Sequence, residues 1–203
     1  MPNPQRSIAG AAPTVATPMP VDPQQLRIHT YPAVVLRTPA KIVAAVTDEV
    51  RAVATAMFAI MDTAEGIGLA APQVGLSWRM FVIDIPADTG RSKAQAGFPD
   101  SSGGRKAYIN PVISDPGGGS EPYEEGCLSL PDIRGDVLRP PIVTIEATDL
   151  AGNVFRETGS GLLARCWQHE MDHLDGVLIL DRMSPTQLLK NRRAIRDLEA
   201  GDE

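Results

Sequence analysis

Two histidines, His169 and His173, flank Glu170-Met171-Asp172, and this spacing constrains the chain more than any other feature in it. A helix brings side chains at i and i+4 onto one face, so the two imidazoles can converge on one metal ion. The pattern therefore predicts a helix from about Gly161 to Leu174, with Gly176 just past its end. Glu170, between the histidines, is placed to take a proton from a water that such an ion activates. A pair of histidines satisfied inside a helix is the weaker reading, because the motif is rare by chance.

A catalytic metal site usually takes three protein ligands and leaves one position open. Cys166 shares the face of His169 but lies seven residues from His173, about 10 Å along a helix axis. Metal bonds of about 2.0–2.3 Å do not gather both ends of that span. His29 reads as an ordinary surface histidine, and Glu199 sits in a charged chain end, where it would complete a protease-like site. Cys127 remains, in Glu125-Gly126-Cys127-Leu128-Ser129-Leu130-Pro131. Glycine before it permits close backbone approach, and a thiolate suits zinc or ferrous iron. Taken alone, this segment is better read as an inert cysteine in a turn.

A third segment, Gly66-Ile67-Gly68-Leu69-Ala70-Ala71-Pro72-Gln73, formally fits a dinucleotide fingerprint. That fingerprint follows a strand and opens a helix. Here the preceding pattern is helical and Pro72 interrupts any new helix, so the nucleotide reading fails. Either the glycines stop a helix, or this backbone lines a cleft with Gln73 offering an amide donor.

The remaining pattern organises these segments. A helix starts after Thr47, with Asp48 and Glu49 in its first turn, and is stopped by Gly66 and Gly68. Strands are predicted over Arg79–Ile85, Ala107–Ile113 and Ile142–Ala147, with Pro86–Arg105 as a surface loop. A turn at Gly152 and Asn153 leads into Val154–Glu157 as a hairpin, and Val177–Leu180 reads as a short strand. The last helix starts at Ser184, with Pro185 at its first position and Gln187 placed to complete a capping box. Helices at both ends with short strands between them indicate an α+β fold in a single domain.

Composition removes several classes of function. The 203 residues, 43% of them hydrophobic, suffice for one globular core. A net charge of −6 argues against DNA as a partner, and no apolar run reaches membrane-spanning length. Two cysteines exclude a disulfide scaffold, and a reducing cytoplasm is the expected location. Residues 1–25 are expected to be a disordered tail, with organelle targeting the weaker alternative.

Taken together and in order, GIGLAAPQ, EGCLSLP and QHEMDHLDG resemble the three signature segments of peptide deformylases. The likeness runs from about Leu26 to the final helix and leaves the tail and the Pro86–Arg105 loop unmatched. It implies one α+β domain over residues 26–203, with the metal-binding helix packed against and enclosed by antiparallel strands. The implied reaction is hydrolysis of the formyl group from the N-terminal formyl-methionine of nascent polypeptides. By position, Cys127, His169 and His173 would bind the metal, and Glu170 would be the general base. Gln73 and the Leu128 N–H would donate to the oxyanion. The implied metal is Fe2+, with Zn2+, Ni2+ or Co2+ also able to occupy the site.

The same resemblance implies substrate contacts. Ile67, Gly68 and Gly126 match positions that hold the peptide as an added strand. Leu128, Leu162, Arg165, Cys166 and His169 match positions around a methionine pocket, and Arg134 an arginine near the cleft mouth. Arg165 stands where some members carry an apolar residue. Its stem is expected along the pocket wall with its charged head in water. The resemblance also implies the ribosome as a partner of the last helix through Lys190, Arg192, Arg193 and Arg196, although these residues by themselves read better as a solvated face. Two other readings stay open: a zinc endopeptidase using Glu199, and a non-catalytic metal-binding protein with a fourth ligand.

Overall fold

The run Met80-Phe81-Val82-Ile83 has no polar face, and the fold explains why: both sides of this strand are covered. The computed structural model describes residues 21–87 and 94–201. Its elements are α1 (Asp48–Thr63), β1 (Gly68–Ala70), β2 (Met80–Ile83), β3 (Lys106–Gly117), β4 (Glu121–Cys127), β5 (Leu130–Arg139), β6 (Ile142–Thr148), β7 (Val154–Ser160), α2 (Gly161–Leu174), α3 (Ile179–Arg182) and α4 (Pro185–Ala200). Strands β1-β2-β3-β6-β7 form an antiparallel sheet in that order, and β4 and β5 form a separate antiparallel hairpin.

Side chains alternate across a sheet, and here each face has its own helix. Leu69, Met80, Val82, Ala107 and Ile109 pack against Val53, Met57 and Met61 of α1. Their neighbours Ala70, Phe81, Ile83 and Tyr108 pack against Leu163, Cys166 and Trp167 of α2. A third apolar cluster joins Leu130, Ile133 and Val137 of β5 to Ile179, Leu180, Met183 and Leu36. The expected α+β fold, with the histidine helix enclosed by antiparallel strands, is what forms.

Local chemistry accounts for the ends. Thr47 Oγ1 accepts from Val50 N at 3.3 Å to cap α1. That helix ends before the glycines: Glu65 takes the left-handed conformation at φ 54°, and Gly66 N returns to Met61 O. Gly176, at φ 74°, follows α2 as expected. Ser184 Oγ accepts from Gln187 N, but the capping box is only half made, because Gln187 Nε2 donates to Asp136 Oδ2 instead.

Other expectations need correction. Val177–Leu180 is not a strand; Leu178 N donates to Asp181 Oδ2 at 2.8 Å, and the chain turns into α3. The hairpin β4–β5 was not anticipated. Of the expected tail, residues 1–20 lie outside the described residues, whereas Pro23–Gln25 form a 3-10 turn and Val21 N donates to Glu49 Oε1 at 2.7 Å. The Pro86–Arg105 loop, where described, is tied down: Ser160 N donates to Pro99 O and Gln95 N to Ser160 Oγ. No described helix is long and apolar enough to cross a membrane.

Candidate metal centre

Three elements meet where the apolar clusters part. The ligand atoms of Cys127, His169 and His173 all lie within 4.8 Å of one another, with Cys127 Sγ 3.2 Å from His173 Nε2. Helix α2 supplies both imidazoles from one face, as the i, i+4 spacing requires. The thiol comes from the last residue of β4, just before the two-residue turn Leu128-Ser129. Beyond that turn the hairpin register slips between Gly126–Arg134 and Cys127–Leu130, so Pro131–Ile133 form a bulge with no partner on β4, beside the cleft. Asp132 in the bulge adopts φ 62°.

The donor set fits a divalent transition metal. A thiolate with two imidazoles suits iron, zinc, nickel or cobalt, and three protein ligands leave a position open. The second ring nitrogen of His169 is already engaged, because Nδ1 pairs with Glu125 Oε2 at 3.0 Å and Nε2 is thereby left for a metal. Of the buried polar atoms among the described residues that have no partner, two lie here, His173 Nδ1 and Glu170 Oε2. Glu170 is 3% exposed, and burial pushes its carboxyl up to about 7 against the opposing charges of His169 and Arg139. A carboxyl near neutrality can both take and return a proton at physiological pH.

Behind the ligands runs a buried network of charges. Arg139 grips Glu125 through two bonds, Nε to Oε1 at 2.7 Å and Nη2 to Oε2 at 2.9 Å. Its Nη1 reaches Asp172 Oδ2 at 2.8 Å, and Arg182 holds the same carboxylate from outside. Although burial opposes the charge, the bonds from His169 and Arg139 hold the Glu125 carboxyl well below the usual glutamate range. Sequence reasoning missed Glu125, Arg139 and Asp172 as a supporting set. A signal was available, since two of them are acids within the metal-ligand segments themselves.

A cleft of about 420 Å³ opens onto this cluster, and all the expected site residues except the deeper His173 line it. On one wall, Gly68 lies so close to α2 that a Cβ there would collide with Glu170 Oε1 and Cys166 Sγ. Gln73 is fixed from both ends: Oε1 accepts from Ala70 N at 2.8 Å, and Nε2 points to Ser129 Oγ at 3.2 Å and Cys127 Sγ at 3.6 Å. On the other wall Arg134 lies over Gly126. Arg165 departs from expectation. Its guanidinium is buried rather than in water, bonded to Glu125 Oε1, Val137 O and Glu121 O. Glu199 does not join the ligands; it accepts from Tyr31 OH at 3.0 Å, which removes the basis for a protease-like ligand set.

Comparison with known proteins agrees with this architecture. A model of the polypeptide deformylase family matches residues 25–188. A peptide deformylase of Rhodopseudomonas palustris is 44% identical over 164 residues, covering 81% of this chain and 87% of that protein. The crystal structure of the Ehrlichia chaffeensis peptide deformylase superposes with a TM-score of 0.78 at 33% identity, covering 87% of this chain and 96% of that one. That of Synechococcus elongatus, in complex with actinonin, gives 0.73 at 38% identity over 94% of each chain. Sequence, fold and the juxtaposition of Cys127 with the histidines of α2 thus converge, and the chain belongs to the polypeptide deformylase family.

Proposed function

We propose that residues 26–203 form the working unit of an enzyme that removes the formyl group from N-terminal formyl-methionine of nascent polypeptides and releases formate, with Cys127, His169 and His173 as metal ligands. The observation that carries this reading is Glu170. Its unpartnered, buried carboxylate sits beside a three-ligand cluster at the base of an open cleft. Cys127, His169 and His173 would hold a divalent ion there, which would supply an acidified water and an electrophile for the formyl oxygen. We assign Fe2+ as the ion in the cell, with Zn2+, Ni2+ and Co2+ suited to the same donors.

The residues divide the remaining work. Glu170 takes a proton as attack begins and returns it to the departing amine. Hydrolysis of a formamide passes through a tetrahedral oxyanion, and Gln73 Nε2 with the Leu128 N–H donates to it. The bond from Ala70 N to Oε1 holds the Gln73 amide in place, and donation to the oxyanion exchanges one of its Nε2 contacts, to Ser129 Oγ or Cys127 Sγ. Ile67, Gly68 and Gly126 flank the peptide backbone, Arg134 meets it at the mouth, and Leu128, Leu162, Cys166 and the stem of Arg165 line the side-chain pocket. We assign the enzyme to the cytoplasm, a reading that the nascent-chain substrate and the free cysteines support. We assign α4 as the surface that meets the ribosome, a reading supported by its basic residues on a helix with none of its residues buried.

Formate release from a formyl-methionyl peptide by anaerobically purified protein tests this assignment, with Glu170→Ala run alongside. Rapid release by the parent and near-abolition in the variant are expected. No release from metal-loaded parent overturns the reading.

A further inference from the structure

We propose that Arg165 is a positioning residue that straps the cysteine-bearing hairpin to the histidine-bearing helix and thereby governs how long the metal stays bound. This rests on the ligand set proposed above. The apolar packing is discontinuous at the site. Helix α2 is buried in the cluster under the large sheet, whereas β5 is buried in the cluster with α3 and Leu36. The two sides each contribute ligands, so the seam between them must be closed by something other than a shared core.

Polar contacts close it, and Arg165 makes the widest set. Its Nη1 donates to Glu125 Oε1 at 2.8 Å and to Val137 O at 3.0 Å, and its Nη2 to Glu121 O at 2.9 Å. Its guanidinium also lies over the Tyr123 ring, 5.2 Å from the centroid. One α2 side chain thus grips β4, β5 and the carboxylate that orients His169. It stands one turn before His169, on the same face. A planar fork can serve three acceptors in fixed directions, which a lysine ammonium cannot.

Charge neutralisation is not its main task, because Arg139 already holds both oxygens of Glu125. Removing Arg165 therefore leaves that carboxylate paired. What is lost is the tie to two backbone carbonyls of the hairpin. Cys127 then moves more freely relative to His169 and His173, and the metal escapes faster.

The test follows zinc transfer from loaded full-length protein to a chromogenic chelator. Arg165→Met should speed release by about 10-fold or more, the scale of supporting-residue effects at metal sites, with Arg165→Lys intermediate. Arg182→Met is the control. It removes a cation from the same network, but one whose side chain is 47% exposed and whose bonds go to Asp172 rather than to the hairpin or a ligand. Its release rate should stay within about twofold of the parent, the difference expected when no supporting contact of a ligand is lost. The proposal is overturned if Arg165→Met releases zinc at the parental rate, or if Arg182→Met accelerates release equally. Should Arg165→Met fail to fold, parental release from Arg165→Lys overturns it. Formate release by the parent is measured separately, so failure of the assigned reaction is distinguishable from failure of the strap.

Discussion

Glu125 Oε2 and His169 Nδ1 lie 3.0 Å apart, joining a strand carboxylate to a helix imidazole across the seam between two apolar clusters. His169 is partly exposed, but Glu125 is buried and forms a buried ion pair with Arg139. Removing one partner of a buried ion pair leaves the other charge uncompensated and costs roughly 3–5 kcal/mol. Glu125→Ala should lower stability on that scale in thermal unfolding, with Glu125→Gln losing less because it keeps an acceptor.

The pH dependence of that loss has a fixed sign. The Glu125 carboxyl is held below its unfolded value, so its contribution is complete above the ordinary glutamate pKa of about 4.3. It fades as pH falls towards the folded value. The urea-midpoint gap between parent and Glu125→Gln should be constant from neutral pH to about 5 and narrow below about 4. A constant gap through the acid range would contradict this.

Gln73→Glu separates the donor from the acceptor. The substituted side chain still accepts from Ala70 N, so the turn survives, but no N–H faces the cleft. A drop in kcat of about 10²–10³ is expected with metal content unchanged. Steady-state kinetics beside metal analysis reads both quantities.

Gly68→Ala adds a single methyl where none fits. A Cβ there would meet Cys166 Sγ at 2.8 Å as well as Glu170 Oε1. Overpacking of this kind costs about 1–3 kcal/mol in stability. Misplacing a reacting group by about 1 Å costs about 10²-fold in rate, so kcat/KM should fall far more than the melting temperature suggests.

Cys127→Ala takes away the thiol of the proposed ligand set, which no other Cys, His or carboxylate among the described residues joins. After dialysis, metal analysis should find the variant largely metal-free, and Glu199→Gln fully loaded. Retention of metal by Cys127→Ala would reinstate a ligand set without the thiol.

The metal helix was legible because its period, its motif and its stop agree: His169, His173 and Gly176 all point to the same element. The hairpin β4–β5 was not, and β5 shows why. Its inward positions include Ile133 and Val137, but also Gly135 and Arg139. Gly135 is small because Met183 fills the space, with Cε 2.8 Å from where a Cβ would be. Arg139 points inward because its ion pairs are buried. Tertiary partners thus erased the period-two pattern that identifies a strand. Arg165 was misjudged for the same reason. A long cation normally lifts its head to water, and only acceptors brought from β4 and β5 keep this one inside.

The contact of Gly68 with Glu170 also bears on motion. On the function proposed above, the strand that would flank the peptide and the side chain that would handle protons lie directly against each other, without a layer of side chain between them. A shift of one is therefore felt by the other. A peptide that docks askew along β1 must carry the carboxylate askew with it, and one that seats correctly sets the carboxylate in place. Alignment of the substrate and readiness of the base are then a single mechanical coordinate, and discrimination among peptides would be expressed in turnover as much as in binding.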